Sequence, residues 1–217
     1  MFDPESKSEG VLDRRRSLLK IAAGLGAGVA LRGFCAVGAT LAASGVAHAQ
    51  GDKVLTVGYQ KYGNFIILKA RGTLEKRLAA FGFSVRWIEF PAGPQLLEGV
   101  NANAVDIGVV GETPPVFTQA GHVDFVYIAA EPDAPRDEGV IVPKNSPIRA
   151  LSELRGKKVA VTRGSNANYL LVKALEHGKV GYDEIQPAYL VPADARAAFA
   201  NGSIDAWSIW DPYFAAA

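Results

Sequence analysis

The chain has 217 residues, with 23 basic against 22 acidic side chains, 49% hydrophobic residues and a single cysteine. A net charge of +1 suggests no nucleic-acid or membrane-surface partner, and one cysteine cannot form an intrachain disulfide. Beyond residue 49 there are two histidines, His122 and His177, and no metal-ligand spacing, P-loop or G-x-S-x-G elbow.

The N-terminal residues read as a leader. Arg14-Arg15-Arg16-Ser17-Leu18-Leu19-Lys20 precedes an apolar Gly/Ala-rich stretch from Ile21 to Val46. Ala47-His48-Ala49 then places small residues around one position, the form of a cleavage site. Arg15-Arg16-x-Leu18-Leu19-Lys20 resembles the twin-arginine export signal, with Leu18 where an aromatic is more usual. The stretch is long enough to span a bilayer, but Arg32 and the glycines weaken it as an anchor. Cys35 follows Phe34 and lies three residues after Arg32, which does not suit a lipid-attachment site. Residues 1–49 are therefore expected to be a twin-arginine signal peptide, removed after Ala49 on export to the periplasm. The leader holds six of the 23 basic and four of the 22 acidic residues, so the remainder is close to neutral. About 168 residues remain, enough for one domain or two small lobes.

Val54 to Tyr59 predicts a strand, and Gln60-Lys61-Tyr62-Gly63-Asn64 a turn rich in side-chain donors. Ile66 to Ala80 has helical spacing at Ile67, Ala70, Leu74 and Leu78, and Gly82 suits its end. Strands are expected at Val85–Phe90, Ile107–Val110 and Phe125–Ala129. Between them lie a short helix from Pro94 and another over Pro114–Ala120, where Thr113 precedes an N1 proline. The Pro-rich, charged run from Glu131 to Glu138 divides two lobes, over residues 50–132 and 139–217, with 133–138 as the hinge crossing. The second lobe repeats the alternation: Val140–Val142, a short helix at Leu151–Leu154, Lys157–Val161, the helix Asn166–His177, Ala188–Val191 and Ala206–Trp210. Asp211-Pro212-Tyr213 begins a further helix, and the alanine-rich ending reads as a sequence cut short. Strands alternating with helices argue for mainly parallel sheets.

The two lobes rhyme. Pro91-Ala92 and Pro192-Ala193 each open a short helix, Asn101 and Asn201 sit in the polar turn after it, and Asp106 and Asp205 precede the next strand. Turns that pass from strand to helix are where open α/β sheets hold ligands. The first amides of such a helix lack internal acceptors and carry partial positive charge, so an oxyanion suits them. Thr162-Arg163-Gly164-Ser165-Asn166 is the best of these turns: Gly164 permits close approach, Ser165 adds a hydroxyl, and Asn166, Ala167 and Asn168 keep their N–H groups. Gly93-Pro94-Gln95 comes second, and Thr113-Pro114-Pro115 offers only the Thr113 hydroxyl and amide. Trp210, at a strand end, is the aromatic candidate for an alkyl chain. Glu112 and Asp211 could form a carboxylate pair across a cleft, but such residues more often cap helices or meet ligand donors than catalyse.

From about Val54 onward the chain resembles the periplasmic aliphatic-sulfonate-binding proteins of ABC importers, in the group that also holds taurine, nitrate and thiamine-precursor binders. The resemblance is carried by VGYQKYGN, WIEFPAGPQLLEGVN, DIGVVGETPP, ELRGKKVAV, VPADARAAF and DAWSIWDPY. It implies an α/β fold of the type II periplasmic-binding-protein kind, with two lobes of mainly parallel sheet around a hinge and a ligand closed between them. The family's C-terminal return to the first lobe is missing from this sequence. Ser165-Asn166-Ala167-Asn168 departs from the family's serine-rich turn after its first serine. The expected ligand-binding set is Gln60, Lys61, Gly93, Gln95, Glu112, Thr113, Gly164, Ser165, Asn166, Trp210 and Asp211. Ser165 with the Asn166 and Ala167 amides would hold the sulfonate, Gln60, Gln95 and Thr113 would close over it, and Glu112 and Asp211 would point elsewhere. No cofactor or metal is expected. The partners implied are a small anionic ligand and inner-membrane permease subunits, with no nucleic acid, and the protein would be a monomer without enzymatic activity. A binder of taurine, nitrate or a thiamine precursor is the alternative, and a thiamine-pathway pyrimidine-synthesis-like enzyme a more distant one.

Overall fold

Two sheets, each built from strand-helix-strand units, make up the part of the chain that the computed structural model describes, residues 53–217. The leader, its arginine pair and the Ala47-His48-Ala49 site lie outside the described residues. In the first lobe β1 (Lys53–Tyr59) is followed by α1 (Asn64–Arg71), α2 (Thr73–Ala79), β2 (Phe83–Glu89), α3 (Gly93–Asn101), β3 (Ile107–Gly108) and α4 (Thr113–Ala120). The sheet order is β2-β1-β3, all parallel. In the second lobe β4 (Glu138–Ile141), β5 (Lys158–Val161), α5 (Asn166–His177), β6 (Gln186–Tyr189), α6 (Pro192–Ala200) and β7 (Ala206–Trp210) follow. Their order is β4-β7-β5-β6, with β4 antiparallel to β7 and the other pairs parallel.

The rhyme in the sequence corresponds to one repeated device. Asp106 accepts the Thr56 amide of β1 at 2.7 Å and returns its own amide to the Thr56 carbonyl at 2.9 Å. Asp205 does the same to Lys158 at the start of β5, at 2.8 and 2.9 Å. Each aspartate thus clips the polar turn after a short helix onto the strand beside it, which fixes the register of the next parallel strand. The second lobe has the larger core: Val159, Val161, Ala167, Leu171, Ala195, Trp207 and Ile209 are all fully buried. Ala92, from the first lobe's Pro-Ala turn, is buried in that same cluster, so the lobes are packed together at this turn.

Several expected elements differ. The helix expected over 66–80 is two, because Gly72 takes a left-handed conformation at φ 59° and ends α1. The strand expected at 107–110 stops at Gly108, where the Gln60 side-chain amide takes the Val109 carbonyl at 2.9 Å in place of a ladder partner. Phe125–Ala129 forms no strand. The described sheet ends at β3, which pairs with β1 alone, so this segment has no ladder to join. The Ala188–Val191 strand begins earlier, at Gln186, and residues 211–216 form turns rather than a helix. No described helix is long and apolar enough to cross a membrane.

Candidate ligand-binding site

The start of α5 is built by Ser165, a buried N-cap in extended conformation. Its Oγ accepts the Asn168 amide at 3.3 Å and donates to the Thr162 carbonyl at 2.7 Å. Asn168 Oδ1 in turn accepts the Gly164 amide at 3.0 Å. The amides of Asn166 and Ala167 have no acceptor among the described residues. They are the open donors of the first turn, at the positive end of a 12-residue helix.

The first lobe lies against this helix start. A Cβ built on Gly164 would meet Pro94 Cγ at 3.7 Å and Phe117 Cδ2 at 3.9 Å, so α3 and α4 both approach it. Asn166 reaches back toward the crossing, its Nδ2 donating to Glu138 Oε2 at 2.6 Å. Burial pushes the Glu138 carboxyl up, the Asn166 bond draws it down, and the negative charge of Glu112 adds to the upward push. Tyr62 sits in the same surroundings: burial raises its phenol, and Glu131, Glu112, Asp137 and Glu138 raise it further. The hinge side of the gap is thus acidic, while the helix side offers bare N–H groups.

The expected site residues divide into those that face this gap and those already engaged. Gly164 and Asn166 lie in it, with Pro94 of the α3 start opposite, while Gly93 faces Pro114 and Val110 of its own lobe and Gln95 Oε1 is buried without a partner. Ser165 is engaged by its own helix: its hydroxyl hydrogen goes to the Thr162 carbonyl and its oxygen takes the Asn168 amide. Thr113 is likewise engaged in part, since its hydroxyl donates to Glu112 Oε1 at 3.0 Å and only its amide is left open. The Gln60 side chain, 3% exposed, is spent on Val109. Trp210 does not offer a free face, because it is 4% exposed within the second core. Asp211 accepts the Ala215 amide at 2.9 Å and bonds through its own amide to the Asp137 carbonyl at 2.7 Å, tying the C-terminal turn to the crossing. Lys61 pairs with Glu89 at 3.4 Å and lines a cavity of about 210 Å³ between the lobes, opposite Pro192, Ala193 and Tyr213. Among the described residues no group of His, Cys, Asp and Glu is placed to hold a metal ion.

Sequence reasoning missed Gly111 and Glu138, and the open N–H it expected at Asn168 is instead donated to Ser165. Glu138 was hidden because it closes a charged run that reads as solvated linker. Gly111 carried no signal of its own, since its role comes from Asn166 across the gap.

Two α/β sheets of mainly parallel strands, packed together at the Pro91-Ala92 turn, are what this fold defines. The NMT1/THI5 like family matches residues 79–214, and the chain belongs to that family. It is 46% identical over 173 residues to an aliphatic sulfonates-binding protein of Escherichia coli K12, covering 79% of this chain and 54% of that protein. A protein of the same description in Bacillus subtilis 168 is 37% identical over 178 residues, covering 80% and 54%. The alkanesulfonate-binding protein SsuA of Xanthomonas axonopodis pv. citri, solved bound to MOPS, shares 42% identity with a TM-score of 0.71 over 75% of this chain and 56% of that one. The chain therefore spans about half the length of the curated relatives it matches.

Proposed function

We propose that this protein is the solute-binding component of an ABC importer, which captures an aliphatic sulfonate between its lobes and passes it to the permease. The observation that carries this is the pair of open amides, Asn166 and Ala167, at the start of α5 beneath the first lobe. A sulfonate is fully ionised near neutral pH and offers acceptors only, so bare N–H donors with a helix dipole behind them match it. The Gly93, Gln95 and Thr113 amides, none of which has an acceptor, close from the other side. The names of the relatives support the same reading. Neither a nucleophile-base pair nor a metal set is needed for capture, and the protein acts as a carrier in the periplasm, as a monomer.

Calorimetric titration with a panel of linear alkanesulfonates, taurine, sulfate and nitrate tests this. The alkanesulfonates are expected to bind and the inorganic anions not to; no binding by any sulfonate would overturn the proposal. The acidic rim formed by Glu112, Glu131, Asp137 and Glu138 around Tyr62 favours a second reading, in which the ligand is a zwitterion with its ammonium toward these carboxylates. Taurine binding more tightly than ethanesulfonate would select that form.

A further inference from the structure

Asn166 has a side chain that the ligand reading leaves unexplained. It stands at the first position of α5, in the second lobe, and its Nδ2 is held by Glu138 at 2.6 Å, at the first residue of β4 where the chain enters that lobe. Its other end points at the first lobe. A Cβ built on Gly111, in the turn between β3 and α4, would lie 2.6 Å from Asn166 Oδ1 and 2.9 Å from its Cγ. Real Cβ atoms do not approach that closely, so a residue larger than glycine at 111 forces the lobes or the asparagine to move. A Cβ built on Gly164 would by contrast stand at ordinary van der Waals separation from the opposite lobe, 3.7 Å from Pro94 Cγ. Of the two glycines that face the opposite lobe across the α5 start, Gly111 is the more tightly approached, and the Glu138 bond keeps the asparagine from swinging aside freely.

We propose that the Asn166 side chain and Gly111 form the stop at which the lobes cease closing, so that this pair sets the width of the gap over the α5 amides. Asn166 then has two separable roles. Its amide faces the ligand, and its side chain is a positioning group that fixes how closely the first lobe comes down. This rests on the ligand reading above only for its effect on affinity; the closure contact itself exists without ligand. A stop of this kind also sets the smallest headgroup that the closed gap can grip, because the gap cannot narrow below the Asn166–Gly111 contact.

A double-mutant cycle tests it, with Gly111→Ala, Asn166→Ala and the two combined in the full chain. Fluorine NMR of 5-fluorotryptophan-labelled protein reads closure at Trp210, assigned with Trp210→Phe, because Trp210 pairs with Glu138 across β4 and β7. Gly111→Ala alone should shift or split the ligand-free Trp210 signal and weaken alkanesulfonate binding about tenfold, as an overpacking change does. In the Asn166→Ala background the obstacle is gone, so adding Gly111→Ala should leave the signal in place and change affinity by no more than about twofold. An equal effect of Gly111→Ala in both backgrounds, loss of folding in both included, would overturn the proposal. So would an unmoved Trp210 signal in the single variant. If the wild-type protein binds no sulfonate, the ligand reading falls while the ligand-free Trp210 signals still decide the closure stop.

Discussion

The Ser165 hydroxyl could serve a ligand or its own helix, and the hydrogen bonds assign it to the helix. It is 1% exposed, its hydrogen goes to the Thr162 carbonyl, and its lone pair takes the Asn168 amide. An N-cap serine replaced by alanine costs typically about 1 kcal/mol of stability, and here it also strips partners from buried backbone groups. Ser165→Ala is therefore expected to lower stability by about 1–2 kcal/mol in chemical denaturation. The Asn166 and Ala167 amides remain in place, so sulfonate affinity should fall by less than about threefold, under 1 kcal/mol. An affinity loss of tenfold or more without any loss of stability would show that the hydroxyl turns to the ligand after all. The same logic separates Thr113, whose amide is open, from its hydroxyl, which already binds Glu112.

At the scale of elements, the segment 123–130 is the least settled part of the first lobe. It has strand-like composition but no ladder, and Val126, Tyr127 and Ile128 are 80%, 68% and 71% exposed, with Val116 and Phe117 of α4 also largely exposed. Exposed apolar side chains in such number bind hydrophobic dyes and stick to other chains. We expect the protein to enhance the fluorescence of anilinonaphthalene sulfonate, and Val126→Thr with Ile128→Thr to reduce that enhancement while moving Tm by less than about 3 °C. A large drop in Tm would mean that these side chains are packed in solution. The segment also marks where sequence reading reached its end. Strand alternation and apolar runs made β1, β2, β5 and β7 legible, and the aspartates of the two rhyming turns announced a repeat that Asp106 and Asp205 bear out as identical clips. Phe125–Ala129 has the same local chemistry, but a strand needs a neighbour, and composition cannot report one. Alternation along β7 gives two faces, and both are covered here, leaving every residue of the strand, Trp210 included, buried.

Across the whole molecule, the proposed capture of a ligand between the lobes requires that the protein reach the compartment where that ligand arrives. We propose that the leader takes the protein there by the twin-arginine route. Arg15 and Arg16 precede an apolar stretch that ends in Ala47-His48-Ala49, and lysine at both positions would keep the positive charge that any export leader needs. It would not keep the planar, five-donor guanidinium fork, which an ammonium cannot reproduce at a site that reads geometry. Arg15→Lys with Arg16→Lys thus separates the two routes. If the twin-arginine route is used, the double variant should accumulate in the cytoplasm as unprocessed precursor, while the wild-type protein appears in the periplasmic fraction. Mass spectrometry of the mature wild-type protein should then find Gln50 as its first residue. Undisturbed processing of the double variant would assign export to the general secretory route, because charge alone would have sufficed.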